Sequence, residues 1–367
     1  MQLKFKRKII KYLHILQPTI KVGIFFLVAI IAWRLVSPIY NFSRQNQFSK
    51  DFFLSILLNR DPPLKKYLGR TNIILLGIGG GQHEGGDLTD AMIFFSIDYQ
   101  KKDIVEVSVP RDLWSVTLKD KINTAYHYGE EKKKGGGLIL AKAIVEEIVG
   151  QPVHYAWLID FSGFKKLIDL VGGVDIDVKN PFIDKEYPIE SKENDFCGGD
   201  PTFACRYETL KFDGGLQHMD GEKALKFVRS RHAEGEEGTD FARSRRQQLV
   251  ISSLKNRLLK PKFFWQNLKH AEKLFSAFDD ATDTDMNLSE QILFLKSFLK
   301  LPEQNIRKIV LDNGDDEKGI KGFLVNPPVW QYNGEWLLIP RKGEGNFDEI
   351  HNYISCNIEN TACTMRP

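Results

Sequence analysis

The chain has 367 residues, 42% of them hydrophobic, enough for one large α/β domain or two ordinary ones behind an N-terminal segment. Its formal net charge is only +3, so it lacks the overall basic field that coats nucleic acid, and no nucleic-acid partner is expected. Positive charge must act locally, at a site.

The first residues, Met1 to Lys11, are rich in lysine and arginine. From Val22 to Trp33 runs VGIFFLVAIIAW, bounded by Lys21 and Arg34. That core is short for a span of about 20 residues, but Lys21 and Arg34 can snorkel, and Ile20, Leu35 and Val36 extend it. The basic flank predicts a single-pass anchor in the cell membrane over 20–38, with residues 1–19 as a cytoplasmic tail and the main domain extracytoplasmic. A cleaved signal peptide is the rival reading. No small-x-small site follows the run, so the uncleaved anchor is favoured. Residues 39–69 read as a stalk, because Asp61-Pro62-Pro63 stops a helix. The domain proper is expected over 70–357, with a tail over 358–367.

Three apolar runs open that domain: Asn72–Ile78, Ala91–Ile97 and Ile104–Val109. They read as buried strands. Leu138–Val149 has helical spacing and ends at Gly150. Tyr155–Ile159 reads as a strand, Phe161–Val171 as a helix and Val174–Val178 as a strand. Strands alternating with helices predict an α/β sheet covered on both faces. Pro181–Phe212 has no clear period and reads as an excursion or hairpin holding Cys197 and Cys205. Asp220–Val228 and Asp240–Leu259 are expected helices, and helices are expected to continue from Pro261 to about Leu299. Lys308–Leu311 and Trp336–Ile339 look like late strands, and Asn346–Ile354 a last helix. In an oxidising compartment the four cysteines are expected as two local disulfides, Cys197–Cys205 and Cys356–Cys363. Zinc is the alternative, but CxxC spacing is absent.

Val228 to Gln248, VRSRHAEGEEGTDFARSRRQQ, packs five arginines into a short span. Asp240 is the expected N-cap of the helix that follows. At 100° per residue, Arg243, Gln247, Val250, Leu254 and Leu258 share one face. That face is apolar at its C-terminal end, so Arg243 and Gln247 point inward with it. A guanidinium aimed inward needs an anion, and its fork of donors matches phosphate oxygens. Arg245 falls on the solvated side, and Arg246 is left undecided. The competing reading is a surface helix whose arginines pair with Glu234, Glu236, Glu237 and Asp240.

The first strand runs into GIGGGQHEGGDLTDAM, Gly77 to Met92. Glycines after a strand let backbone N–H groups approach phosphate. No GK[ST] follows, and the next element is a strand, so neither a Walker loop nor a dinucleotide fingerprint is present. Asp87 and Asp90 are candidate ligands for Mg²⁺, although they can equally cap turns. Arg111, in Pro110-Arg111-Asp112, follows the third strand at the edge where α/β proteins place functional groups; its alternative is a surface pair with Asp112. Lys121 to Tyr126 is a further candidate lining of the same cleft. Neither GxSxG nor HExxH occurs.

Taken in order, LTDAM, SVPRD, KINTAY, GGV, LQHMDGEKALKFVRSRH and DFARSRRQQ resemble the LytR-CpsA-Psr family of cell-envelope glycopolymer ligases. The resemblance covers roughly Asn72 to Leu259. It implies an α/β/α sandwich with a central mixed sheet, preceded by one N-terminal transmembrane helix. It also implies a phosphotransferase that moves a polyprenyl-pyrophosphate-linked glycan to peptidoglycan or another wall glycan, with Mg²⁺ or Mn²⁺. By matching motif, Arg111, Arg229, Arg231, Arg243 and Gln247 would hold the pyrophosphate. Asp90, Arg111, Arg229 and Arg231 would carry catalysis, and Asp87 and Asp90 the metal. The chain departs from the family pattern after the first strand, where Gly79, Gly80 and Gly81 replace an acidic residue and an arginine. It departs again at Asp87, Leu88 and Ala91. The alternatives are a non-catalytic, membrane-anchored regulator that senses a lipid phosphate, and a polyprenyl pyrophosphatase.

Overall fold

The computed structural model describes residues 33–34, 37, 40, 44, 48–58, 63–81, 85–189, 192, 194–259, 281–315, 320–359 and 363. Apart from Trp33, Arg34 and Ser37, the anchor expected over 20–38 lies outside them, as do residues 260–280 of the expected helical continuation. Among the described residues no helix is long and apolar enough to cross a membrane. The chain divides into two compact units: Leu64–Asn287 with Phe294–Pro367, and Met1–Pro63 with Leu288–Leu293. The latter is described mainly through α1 (Lys50–Leu57), which is capped by Ser49, whose hydroxyl accepts from the Phe52 N–H at 3.2 Å.

The larger unit is built on a six-stranded mixed sheet. β1 (Arg70–Ile78), β2 (Thr89–Asp98) and β3 (Asp103–Ser108) form an antiparallel meander. The apolar runs of the sequence are these strands, each extended by a residue or two of polar edge. Two long connections then return the chain in parallel. α2 (Ala125–Lys132) and α3 (Gly136–Val149) lead to β4 (Tyr155–Asp160), which lies beside β1. Much later β10 (Ile306–Val310) lies beside β3.

Side chains alternate across a strand, so the core of the sheet lies on both of its faces. Ile74, Leu76, Phe94, Val105 and Val107 pack under α3 and α8 (Asp348–Glu359). Ile73, Ile93, Phe95, Ile97, Tyr155 and Trp157 face the other way, against Phe294 and Leu301. β9 (Thr282–Thr284) closes the β4 edge.

A second apolar core lies beside the sheet. It is built by α4 (Phe161–Leu170), β5 (Val174–Val178), β6 (Phe182–Pro188), β7 (Tyr207–Phe212), β8 (Gly215–Met219), α5 (Gly221–Arg229) and α6 (Asp240–Leu258). The unperiodic stretch after Pro181 is the β6–β7 antiparallel hairpin, with the Cys197–Cys205 bond near its tip. Cys356 is bonded to Cys363, so both cysteine pairs are disulfides and zinc is not their use.

Three details differ from the sequence expectations. Thr239, not Asp240, caps α6: its hydroxyl accepts from the Ala242 N–H at 3.1 Å, and Asp240 moves into the first turn. Trp336–Ile339 is not one strand: Leu338 makes an isolated parallel bridge to Leu113, and Ile339–Pro340 pairs with Leu324–Val325. Between Pro261 and Leu299, β9 stands at Thr282–Thr284, before α7 (Leu288–Lys300), where helix was expected throughout.

Candidate active site

Four separate segments meet at one cavity of about 250 Å³ on the β1–β2 side of the second core. β2 brings Asp90 at its second position, and Arg111 follows β3 by three residues. α5 ends on Arg229, with Arg231 two residues on, while α6 opens with Arg243 and, one turn later, Gln247. All six line the cavity. The face of α6 predicted to point inward does so, since Val250 lines the same wall.

The ion pairs around the cavity differ in kind. The Arg111 guanidinium donates to Asp90 from Nη1 and to Asp112 from Nε at 3.3 Å. Burial lowers its pKa, but Asp112, Asp90 and Asp240 together outweigh burial and hold it above the usual arginine value. Arg243 is 7% exposed and pairs with Asp240 at 2.9 Å. Burial, joined by Arg111 and Arg231, pulls its pKa down, against Asp240 and Asp90. An anion arriving between Arg111, Arg231 and Arg243 would relieve that crowding of like charges. Among the described residues, no carboxylate lies within ion-pair distance of Arg229 or Arg231.

Arg246 is not part of the lining. It is 3% exposed, and its Nε donates to the Phe227 carbonyl at 2.9 Å. Nη2 donates to the Ser230 carbonyl and Nη1 to Glu237 Oε2 at 2.8 Å. It is a strut that ties α6 to the end of α5 and to the turn that precedes α6. Arg245 is exposed, as its place on the helix predicts.

Asp87 stands outside the cavity lining, with its carboxylate on His127 Nδ1 at 2.6 Å. Of Lys121 to Tyr126 none lines the cavity: Ile122 and Asn123 are buried, and Lys121 faces Asp112 and Glu335. The glycine loop contributes tightness more than contact. Gly80 and Gly81 have φ of +70° and +65°, and a Cβ on Gly80 would meet the Asp160 side chain at 2.8 Å.

Asp160, Asp184 and Tyr187 line the cavity and escaped the sequence reading, while Phe161, read only as the start of a helix, lines it too. Asp160 ends β4 and caps α4, accepting from the Gly163 N–H at 2.6 Å. Its place at the C-terminal edge of a strand was the available signal. Tyr187 had none, because β6 lies in the unperiodic stretch. Leu75, Ile93, Phe164, Leu225 and Val250 belong to the apolar part of the wall, and His232 adds a further polar group.

The only described group of three His, Cys, Asp or Glu side chains with converging ligand atoms is Asp195, Cys197 and Cys205, whose sulfurs are already bonded to each other. Three carboxylates line the cavity. Asp184 is buried and its Oδ2 already accepts from the Ser230 hydroxyl and the His232 N–H, which leaves the half-buried Asp90 and Asp160 as the oxygen donors. That donor set fits Mg²⁺, which characteristically takes one or two carboxylates and completes its shell with water and substrate phosphates.

The LytR_cpsA_psr family matches residues 42–331. The polyisoprenyl-teichoic acid–peptidoglycan teichoic acid transferase TagU of Bacillus cereus is 28% identical over 165 residues, 44% of each chain, so the match spans less than half of that relative. Two solved structures share the fold. The crystal structure of Bacillus subtilis TagV has a TM-score of 0.54 at 22% identity, over 80% of this chain and 99% of that one. The LytR-CPS2A-psr family protein YwtF (TagT), with bound octaprenyl pyrophosphate lipid, has a TM-score of 0.50 at 18% identity, over 81% of this chain and 94% of that one.

Proposed function

The chain belongs to the LytR_cpsA_psr family, and we propose that it is a membrane-anchored phosphotransferase that moves a glycopolymer from a polyprenyl pyrophosphate to a wall acceptor such as peptidoglycan. The observation that carries this reading is the composition of one cavity, which is lined by both guanidinium donors and apolar side chains. That pairing suits an anion joined to a hydrocarbon, as in a lipid pyrophosphate. The transferase named among the relatives and the lipid in the related structure are consistent with it.

Arg229, Arg231, Arg243 and Gln247 hold the pyrophosphate, and the prenyl chain lies toward Leu225 and Val250. Arg111 faces the phosphorus nearer the sugar, held there by Asp90 and Asp112. An acceptor hydroxyl oxygen attacks that phosphorus. The bridging P–O bond breaks, the polyprenyl monophosphate leaves, and the hydroxyl proton passes to Asp90. The arginines neutralise charge that builds on the leaving phosphate, in a cavity walled partly from water. When bound, Mg²⁺ or Mn²⁺ would sit on Asp90 and phosphate oxygens and add further charge neutralisation. The anchor over 20–38 belongs to this proposal: it keeps the site beside its lipid donor, outside the cell membrane.

The test uses the full-length chain in detergent, with a polyprenyl-pyrophosphate-linked glycan, Mg²⁺ and peptidoglycan. Glycan is expected to appear on peptidoglycan, and Arg243→Ala to lower the rate by about 100-fold. Unchanged transfer in Arg243→Ala would sink the site assignment. Release of glycan phosphate to water without wall product would identify a pyrophosphatase, and binding without turnover a regulator.

A further inference from the structure

The cavity arginines are held in two ways. Arg111 and Arg243 each face carboxylates, Asp90 with Asp112 in one case and Asp240 in the other. Arg229 is held by rings. Its Cζ lies 4.1 Å from the centroid of Phe161 and 5.6 Å from that of Tyr187. Its Nη1 donates to the Tyr187 hydroxyl at 3.3 Å. The two rings come from independent elements, Phe161 from the first position of α4 and Tyr187 from β6.

The difference matters for an anion. A carboxylate partner competes for the same fork of N–H donors that a phosphate needs. An aromatic face attracts the charge through its quadrupole and leaves the donors at the edge of the guanidinium plane uncommitted. The Tyr187 phenol takes one donor, Nη1, but brings no opposing charge. Burial pushes it up to about 12, so near neutral pH it meets Arg229 as a neutral hydroxyl.

We propose that Phe161 and Tyr187 are positioning residues that clamp Arg229 between their rings and so present an un-neutralised guanidinium to the pyrophosphate. This rests on the transferase reading of the cavity. Neither ring takes part in the chemistry; each acts through Arg229.

The experiment is a double-mutant cycle on the full-length chain in detergent, with farnesyl pyrophosphate as the probe and binding measured by calorimetry. Tyr187→Leu and Phe161→Leu are each expected to weaken binding about tenfold. Tyr187→Phe keeps the ring and is expected to stay within about threefold of the parent. In an Arg229→Ala background the loss from Phe161→Leu or Tyr187→Leu should disappear, which a merely structural role would not produce. The clamp is overturned if either leucine variant weakens binding equally with and without Arg229, or if both bind like the parent. Phe161 is less enclosed than Tyr187, so Phe161→Leu carries the test should Tyr187→Leu not fold. Arg229→Ala binding like the parent would instead overturn the pyrophosphate site itself.

Discussion

Replacing Glu106 by Gln should raise stability at pH 8 and leave it unchanged near pH 4. Glu106 sits in the middle of β3, 1% exposed, paired in register with Lys308 of β10. Its Oε1 has no hydrogen-bond partner. Burial, opposed by Lys308 and Lys255, pushes its carboxyl from the ordinary 4.5 up to about 7. Between those values the folded chain keeps a proton that the unfolded chain gives up. Stability therefore falls as pH rises through that window, and the loss is complete above it. At ~1.4 kcal/mol per pH unit, the carboxylate costs roughly 3 kcal/mol at pH 8. Gln has nearly the same shape and no proton to lose, so Glu106→Gln should gain most of that. For a domain of this size the gain is a rise of roughly 6 °C in Tm. Thermal melts of parent and variant at pH 4.5, 6 and 8 read it directly. A difference that does not grow with pH, or a variant that becomes relatively less stable as pH rises, would refute the reasoning. The second outcome would mean that the carboxylate is ionised in the fold and paired with Lys308 or Lys255.

Asp90→Asn keeps the shape beside Arg111 but removes the proton acceptor; transfer should fall about 100-fold while lipid pyrophosphate binding is retained, as single-turnover and binding measurements can separate. Arg246→Ala should cost about 3 kcal/mol in denaturant melts, because it strands Glu237 and two buried carbonyls, and pyrophosphate binding should weaken with it. Its hydrogen bond to Asp87 raises the His127 pKa, so that contact holds at lower pH and is lost as pH rises through the raised value. An NMR titration should show the His127 value falling in Asp87→Asn, and an unchanged titration would discard the pair.

The sheet was legible because β1, β2 and β3 are short, mostly apolar runs, broken by polar residues such as Ser96 and Glu106, and too short and too rich in Ile, Val and Phe to suit helices. The inward face of α6 was legible for a similar reason: Arg243 and Gln247 stand in register with Val250, and periodicity alone places them. Arg246 was not legible. It lies close to the same face, but its acceptors are carbonyls at Phe227 and Ser230, which only the turn between α5 and α6 brings within reach. Tyr187 was hidden in the same way. β6 buries Phe182, Asp184 and Tyr187, but the middle inward position is a carboxylate and a bulge between Asp184 and Tyr187 breaks the period of two, so the strand leaves little trace in the pattern. Asp87 shows the limit of reading carboxylates by proximity in sequence. It is three residues from Asp90, yet the loop turns it toward His127 and away from the cavity.

The Arg246 strut also bears on when order is imposed at the cavity. By fastening Phe227 and Ser230 on one side and Glu237 on the other, it holds the Arg229–Arg231 segment and the start of α6 together before any ligand arrives. The donor-bearing side chains of the cavity thus rest on a frame whose backbone entropy is lost during folding. The arriving lipid has only side-chain rotamers left to quench, and more of each contact survives as affinity.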